Sequence, residues 1–306
     1  MKPLMFTASD TGDFGHGLSQ AFPCDTGVLT LHQYPDGEQC PRFATPVEGR
    51  DVIFSWALDR PDCRLLTLYL VASVARELGA RSIGFVIPYL PYIRQDVHRH
   101  AGQGETSRHI ARLLSGCCDW LVTVEPPLKR FQNLADLYNV PVRVVLSAPA
   151  IADWINAHVA QPVIFGAGLE SDPWIAQIAA AADCPHVALP NTRGEDRQVS
   201  VSIPDAPFWV GMTPVLVDDV VSTARTMIAA TVQIEIAGMA PPVCIVVHPL
   251  FAGDGYAALQ TSRVERIVSC NTIAHATNRI DLSKSVARAI HEVIAEKDAH
   301  MAIAGV

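Results

Sequence analysis

The amino-acid sequence predicts an α/β protein with two domains, each a mainly parallel sheet flanked by helices. Short β-branched apolar runs alternate with stretches of helical periodicity along the whole chain. This alternation is typical of βαβ units, in which helices cover both faces of a parallel sheet. Several apolar runs in each half lead into a polar loop, which indicates a duplicated architecture without a strong sequence repeat. The boundary is expected near Ser147–Pro149, giving domains at 1–147 and 148–306.

Each predicted element depends on its own local pattern. Short β-branched and aromatic runs predict strands at Val52–Trp56, Ser82–Ile87, Trp120–Val124, Val142–Leu146, Val163–Phe165, Val215–Val217, Val243–Val247 and Arg266–Ser269. Apolar periodicity predicts helices at Leu65–Leu78, Ser107–Leu114, Pro149–Val159, Trp174–Ala182, Met227–Ile236 and Ser283–Lys297. Gly79 is expected to end the first helix, because glycine adopts the left-handed conformation found just past helix ends.

Composition excludes several classes of function. The chain has 306 residues, 49% of them hydrophobic and 18% charged, which is typical of a globular protein with a large core. The formal net charge of −8 argues against a nucleic-acid partner, because binding phosphate backbones needs a basic surface. No membrane partner is expected either, since no apolar run reaches membrane-spanning length and the first residues lack a secretory pattern. The eight scattered cysteines fit reduced thiols and predict a cytoplasmic protein.

The segment Pro214–Met227 is the most informative in the chain. An apolar strand runs into Asp218 and Asp219, and a short Ser/Thr turn then leads into a helix. A strand, a tight turn and a helix N-terminus together form an anion site, because the first backbone N–H groups of the helix converge there. Carboxylates at the end of the strand can accept from sugar hydroxyls or hold Mg²⁺. The alternative is an ordinary strand end followed by a Ser/Thr helix cap.

Three further polar clusters lie where predicted strands end. Tyr34–Glu38 has the composition of a turn and, taken alone, indicates a hairpin tip. Ile87–Asp96 carries two prolines and two tyrosines and ends in Arg-Gln-Asp, which suits a ligand because arginine can bind phosphate and tyrosine can stack on a base. His248–Gly255 follows a buried run and either borders a site or forms a plain loop and helix cap.

Four of these segments agree in order and spacing with one family. Tyr34–Glu38, Pro88–Asp96, Asp218–Thr226 and His248–Gly255 resemble elements of the ribose-phosphate pyrophosphokinases, also called phosphoribosyl-pyrophosphate (PRPP) synthetases. The resemblance extends over roughly residues 30 to 295. It implies two phosphoribosyltransferase-type domains, a homo-oligomer (dimer or hexamer) and transfer of diphosphate from ATP to ribose 5-phosphate with Mg²⁺, for nucleotide biosynthesis.

The resemblance also implies roles for particular residues. ATP would be held by Asp36, Glu38, Arg94, Gln95 and Asp96, with the Asp-Gly-Glu turn supplied by a neighbouring subunit. Ribose 5-phosphate would be held by Asp218, Asp219, Ser222, Thr223, Ala224, Arg225 and Thr226, and the two aspartates are the candidate Mg²⁺ ligands. Relatives usually carry small residues, often two glycines, at positions 224 and 225. Ala224 would therefore be strained if its position needs a positive φ.

Three departures from the family pattern bear on catalysis. Pro127 stands where relatives carry a metal-binding histidine, and Gly168 stands where they carry an aspartate near the metal and the sugar. Asn191 stands where they carry a lysine that neutralises the transferring phosphates, which leaves Arg193 and Arg197 as the candidate catalytic cations. Losing one such cation typically costs several orders of magnitude in rate.

Three functions follow from these observations. The first is a ribose-phosphate diphosphokinase with altered metal use. The second is a catalytically silent homologue that binds nucleotide or phosphosugar and regulates or partners an active paralogue. The third is a related transferase that acts on a different phosphosugar or nucleotide.

Overall fold

The computed structural model describes residues 2–8, 11–96, 102–128, 130–131, 133–193, 199–201, 203–204 and 206–304. The strands in chain order are β1 Leu4–Thr7, β2 Asp25–Thr26, β3 Leu29–Gln33, β4 Gln39–Phe43, β5 Asp51–Ser55, β6 Ser82–Val86, β7 Trp120–Val124, β8 Val142–Val145, β9 Pro162–Gly166, β10 His186–Ala188, β11 Asn191–Arg193, β12 Val199–Val201, β13 Thr213–Val221, β14 Val243–Pro249, β15 Arg266–Cys270 and β16 Asn278–Ile280. The helices are α1 Asp13–Ala21, α2 Pro61–Glu77, α3 Thr106–Ser115, α4 Ala148–His158, α5 Asp172–Ala182, α6 Ala206–Trp209, α7 Arg225–Ile236, α8 Gly255–Thr261 and α9 Ser283–Ala304.

The chain forms two compact units. The N-terminal unit comprises residues 1–145, 272–274 and 283–306, and the C-terminal unit comprises 146–271 and 275–282. The division near residue 145 lies close to the expected boundary. The last helix departs from the expected 148–306 domain, however, because α9 packs against α1, β7 and β8 of the N-terminal unit. Its buried face is made by Val286, Ile290 and Val293, whose spacing forms one apolar stripe on a helix.

The two units repeat one topology, which is the duplicated architecture expected from the sequence. The N-terminal sheet has the order β2-β1-β5-β6-β7-β8 and the C-terminal sheet has the order β10-β9-β13-β14-β15-β16. Every pair within these two sheets is parallel. Each unit adds an antiparallel hairpin, β3-β4 in the first and β11-β12 in the second.

The core of the N-terminal unit shows how tightly its parallel strands pack. Phe54 and Phe85 lie on adjacent strands and are fully buried beside Leu68 of α2. Gly84 of β6 is paired with Trp120 of β7. A Cβ atom on Gly84 would lie 1.9 Å from the Trp120 indole ring, so only glycine leaves room for this side chain.

One strand is longer than expected, and it carries the most informative segment. The sequence predicts a strand at Val215–Val217 that ends before the two aspartates, but β13 continues to Val221. The continuation is made by the ladder to β14, in which Val221 is paired with Pro249. Backbone hydrogen bonds to a neighbouring strand do not require apolar side chains, so the polarity of Asp218 and Asp219 does not end the strand.

Candidate functional site

In the C-terminal unit, the segment Pro214–Met227 lies at the switch point of the sheet. β9 connects to β10 on one side, and β13 connects to β14 on the other, so the direction of winding reverses between β9 and β13. Ligands of open α/β sheets bind outside the carboxyl ends of the strands at such a point. The last residue of β9, Gly166, is paired with Val217. Asp218 and Asp219 therefore extend past the end of β9, and both are half-buried.

We call Ser222–Thr226 the phosphate loop. It leads directly into α7, whose N-cap is Ala224, and within the described part of the chain no side chain caps this helix. The first backbone N–H groups of α7 have no intrahelical acceptor, and the helix dipole makes this end positive. Thr223 and Arg225 are exposed, while Ser222 and Thr226 are half-buried. The loop therefore offers backbone, hydroxyl and guanidinium donors to an anion.

The backbone of Ala224 is strained. Strain was expected at this position only if its φ is positive, and it is. Its φ is +58° and its ψ is +3°, in the left-handed region. A residue with a Cβ atom pays about 1–2 kcal/mol there. The Ala224 side chain is nevertheless 94% buried, with a relative exposure of 6%. The surrounding structure therefore fixes a backbone conformation that alanine by itself disfavours.

The loop between β9 and α5 follows the strand that neighbours β13, and it contains Gly168, where the sequence resemblance implies an aspartate. Gly168 is extended, with φ 170° and ψ 152°, and its carbonyl accepts from the Ser171 hydroxyl at 2.6 Å. It supplies no side-chain ligand. The exposed residues that follow include the acids Glu170 and Asp172. The loop therefore places its acids at exposed positions and offers no carboxylate at position 168.

The hairpin β11-β12 contains Asn191, where the sequence resemblance implies a lysine. Asn191 and Arg193 lie on β11, and Asn191 is paired with Val201. Arg197, the second candidate catalytic cation, lies outside the described residues.

The N-terminal unit joins the Arg-Gln-Asp segment to the loop that follows β7. The Thr123 hydroxyl and the Val124 N–H both donate to the carbonyl of Pro88, at 3.5 and 3.2 Å. The Arg130 N–H donates to the Asp96 carboxylate at 2.9 Å. Asp96 is fully buried, and its Oδ1 has no hydrogen-bond partner among the residues that the structure describes. Arg94 and Gln95, by contrast, are exposed at the surface.

A cluster that the sequence did not reveal lies next to this segment. Glu105 accepts from the guanidinium groups of both Arg108 and Arg130, and these hydrogen bonds lower the pKa of its carboxyl. The two guanidinium carbons lie 5.0 and 5.6 Å from the ring centre of Phe131. Glu105 and Arg130 are 25 residues apart, so no local pattern in the sequence connects them.

Pro127 is buried in the same loop, and its neighbours show how the backbone accommodates it. Glu125 follows β7 with φ +36°, and its N–H donates to the Val145 carbonyl at 3.0 Å. The Leu128 N–H donates to the Pro126 carbonyl at 2.7 Å. Position 127, at which the sequence resemblance implies a metal-binding histidine, therefore presents a buried ring without a lone pair for a metal.

Asp36 and Glu38 belong to the antiparallel hairpin of the N-terminal unit, outside its parallel sheet. They form the tip of the β3-β4 hairpin, where the Tyr34 N–H donates to the Glu38 carbonyl at 2.8 Å and the Glu38 N–H donates to Asp36 at 3.2 Å. Every residue from Tyr34 to Glu38 is exposed. The turn predicted from composition is confirmed, and its two carboxylates face solvent.

A parallel sheet of this strand order, with a hydroxyl-rich loop and an uncapped helix at its switch point, defines the phosphoribosyltransferase type of α/β domain. The profile of the N-terminal domain of ribose phosphate pyrophosphokinase matches residues 4–117, and that of the phosphoribosyl synthetase-associated domain matches residues 205–301. The chain belongs to the ribose-phosphate pyrophosphokinase family.

Individual relatives match over nearly their full length. The ribose-phosphate pyrophosphokinase of Halobacterium salinarum is 26% identical over 294 residues, covering 94% of this chain and 100% of that protein. That of Sulfolobus acidocaldarius is 28% identical over 267 residues, covering 84% and 89%. The crystal structure of phosphoribosylpyrophosphate synthetase from Mycobacterium smegmatis shares the fold, with a TM-score of 0.83, 18% identity and coverage of 96% and 100%.

No helix in the described ranges is both long and apolar enough to cross a membrane. Among the same residues, no three histidine, cysteine, aspartate or glutamate side chains form a group that could hold a metal ion. A site for Mg²⁺ does not need such a group, because this ion commonly binds through one or two carboxylates together with the phosphates of a substrate.

Proposed function

We propose that the protein transfers the β,γ-diphosphate of ATP to O1 of ribose 5-phosphate, giving PRPP and AMP for nucleotide biosynthesis. In this reaction O1 forms a bond to Pβ, the bond between Pβ and the oxygen that bridges it to Pα breaks, AMP leaves with that oxygen, and the hydroxyl at O1 loses its proton. The observation that carries the proposal is the N-terminus of α7, which no described side chain caps. It follows Asp218 and Asp219 in the chain and lies at the switch point of the C-terminal sheet.

The proposed sugar site matches a phosphosugar at both of its ends. The phosphate would accept hydrogen bonds from the backbone and hydroxyl groups of the phosphate loop, with the Arg225 guanidinium adding positive charge. The sugar hydroxyls would donate to Asp218 and Asp219, which are half-buried, consecutive residues of β13. Adjacent residues of a strand point to opposite faces, so one aspartate faces the sugar more directly than the other.

The proposed nucleotide site depends on Arg94, Gln95 and Asp96, and on Asp36 and Glu38 of a second copy of the chain. The exposure of the hairpin tip supports this division, since its carboxylates are available to another molecule. We therefore propose a homo-oligomer, either a dimer or a hexamer. We also propose that it acts in the cytoplasm.

Mg²⁺ fits the donors of the C-terminal unit. Asp218 and Asp219 provide the hard carboxylate oxygens that this ion prefers, and a phosphosugar and ATP would complete its shell. When bound, the ion would supply positive charge to the transferring phosphates. The chain itself would orient the sugar on the phosphate loop and hold the proton-donating O1 hydroxyl toward the acids of β13.

A second function, binding without turnover, is favoured by specific features. Position 127 holds a buried proline, position 168 a glycine, and the neighbouring loop adds the exposed carboxylates of Glu170 and Asp172. Carboxylates near a diphosphate raise the cost of bringing it there. A homologue built in this way would bind nucleotide or phosphosugar and regulate or partner an active paralogue.

The deciding experiment is an assay for AMP and PRPP with ATP, ribose 5-phosphate and Mg²⁺, performed on the parent protein and on Asn191→Lys. The matched control is Asn156→Lys, which adds the same charge at an exposed position of α4. Turnover by the parent supports the transferase and removes the silent homologue. If the parent is inactive but Asn191→Lys alone gains activity, the missing cation is the cause.

Binding measurements separate the remaining outcomes. Calorimetry that shows ATP or ribose 5-phosphate bound, with no product from any of the three proteins, would support the binding homologue. Product from a different sugar phosphate would support a related transferase. Absence of both binding and turnover would overturn the proposed function.

A further inference from the structure

The segment Phe251–Gly255 runs alongside the phosphate loop and is joined to it by the backbone. The Phe251 N–H donates to the Val221 carbonyl at 2.9 Å, and the Ala252 N–H donates to the Ser222 carbonyl at 3.0 Å. These bonds follow directly on the pairing of Val221 with Pro249 in the sheet. The start of the phosphate loop therefore has a fixed neighbour where the strands have ended.

Gly255 makes the closest approach between the two segments. It begins α8, is buried, and is not among the glycines with positive φ. A Cβ atom on Gly255 would lie 2.6 Å from the carbonyl oxygen of Ser222 and 3.1 Å from the Cα of Thr223. Both contacts are to backbone atoms, so an added methyl group fits only if the phosphate loop or α8 moves.

Each of the two segments contains a residue with a strained backbone. Ala224 in the phosphate loop has φ +58°, and Phe251 in the neighbouring segment has φ +38°. Such conformations persist only where surrounding contacts fix them. The Phe251 ring is packed against Tyr256 and His275, with ring centres 5.2 and 4.8 Å apart, and the His275 ring is hydrogen-bonded to the Thr277 hydroxyl at 2.8 Å.

We propose that Gly255 and Phe251 are positioning residues that hold the phosphate loop in its ligand-binding conformation. Neither residue needs to touch the ligand. Phe251 fixes its segment through the ring contacts, and Gly255 lets that segment lie close enough to hold the carbonyls of Val221 and Ser222. A loop held ready binds more tightly, because little ordering remains to be done when the ligand arrives. This inference rests on the proposed binding of a phosphosugar by that loop.

The test compares Gly255→Ala with Gly116→Ala. Gly116 also has a right-handed backbone, with φ −76° and ψ −13°, but a Cβ atom there would meet its nearest neighbours at an ordinary 3.5 Å. We expect Gly255→Ala to bind ribose 5-phosphate at least about tenfold more weakly by calorimetry, a difference of about 1.4 kcal/mol. We expect Gly116→Ala to bind like the parent.

Hydrogen exchange of the backbone amides at 222–226, measured without ligand, provides a readout that does not depend on the proposed function. Faster exchange in Gly255→Ala, with parental exchange in Gly116→Ala, supports the positioning role. Parental affinity and parental exchange in Gly255→Ala would overturn it. If the parent does not bind ribose 5-phosphate, the proposed sugar site fails, and the exchange rates still decide whether Gly255 holds the loop.

Phe251→Leu keeps the inference testable if Gly255→Ala does not fold. It retains the backbone N–H group and removes the ring contacts with Tyr256 and His275. We expect faster exchange at 222–226 and weaker binding of ribose 5-phosphate. A role confined to folding would lower the melting temperature of either variant but leave the affinity and the local exchange of the folded protein unchanged, and that result would refute the proposal.

Discussion

Replacing Ala224 by glycine tests the strained conformation at the start of α7. In an ordinary helical position this substitution is unfavourable, because glycine has lower helix propensity by about 0.8–1.0 kcal/mol and because a buried methyl group is worth about 0.8 kcal/mol. Ala230 is such a position in the same helix, and it is fully buried. Ala230→Gly should therefore lower the free energy of unfolding by about 1.5–2 kcal/mol.

At position 224, which is the N-cap and not a helix-interior residue, only the loss of the buried methyl group applies, and relief of backbone strain offsets it. The φ of +58° costs alanine about 1–2 kcal/mol, and glycine does not incur that cost. Ala224→Gly should consequently change the free energy of unfolding by less than about 1 kcal/mol in either direction. The difference between the two variants reports the relief of strain at position 224 together with the helix propensity of about 0.8–1.0 kcal/mol that only Ala230→Gly loses, since each variant removes one nearly buried methyl group from the same unit.

Urea unfolding followed by circular dichroism measures this difference through the midpoints of the transition at an unchanged slope. An Ala224→Gly variant that loses as much stability as Ala230→Gly would refute the left-handed assignment of residue 224. It would also weaken the inference that the neighbouring Phe251–Gly255 segment is needed to hold the phosphate loop.

Three further predictions follow from the structure. Gly84→Ala should destabilise the N-terminal unit by about 1–3 kcal/mol or more, because the added methyl group meets the Trp120 ring; an unchanged melting temperature would contradict this packing. Asp51→Asn should lower stability at pH 7 by no more than about 1 kcal/mol, because hydrogen bonding to Arg81 lowers the pKa of Asp51 in the folded state and the Arg81 side chain of this pair is 60% exposed. That contribution exists above the unfolded pKa of about 4 and disappears as the pH falls through the lower folded value, so the two proteins should converge in acid unfolding; a constant difference would be inconsistent with an ionic origin. Arg94→Ala should leave the melting temperature within about 1–2 °C of the parent, because the side chain is exposed, but should weaken ATP binding measured by calorimetry; equal affinity would remove Arg94 from the proposed nucleotide site.

The sequence predicts most of the regular elements because their patterns are local. Trp120–Val124 has its predicted bounds, and the ends of β5 and β6 differ from the predicted ends by no more than one residue. The short edge strand β2 and the hairpin strands β3 and β4 were not predicted as strands. They are largely exposed, so they lack the buried apolar pattern from which a strand is recognised.

The features of the candidate site also fall into those that local sequence predicts and those that depend on contacts made in the fold. The order of residues in the phosphate loop, the Arg-Gln-Asp segment and the Asp-Gly-Glu turn is written in the chain, and the family follows from it. The ion pairs that link Glu105 to Arg108 and Arg130, and the rings of Phe251, Tyr256 and His275, depend partly on residues far apart in the sequence. No periodicity or spacing reports such contacts.

Local patterns in the chain are enough to predict the α/β class, the two similar halves and the family, because alternating periodicities and short polar motifs are properties of neighbouring residues. Tertiary structure alone decided which sheet α9 covers, how far β13 extends and what holds Ala224 at φ +58°. Each of these depends on a partner surface. The apolar stripe of α9 can cover either sheet until folding brings it to β7 and β8, and the backbone of β13 continues for as long as β14 lies beside it.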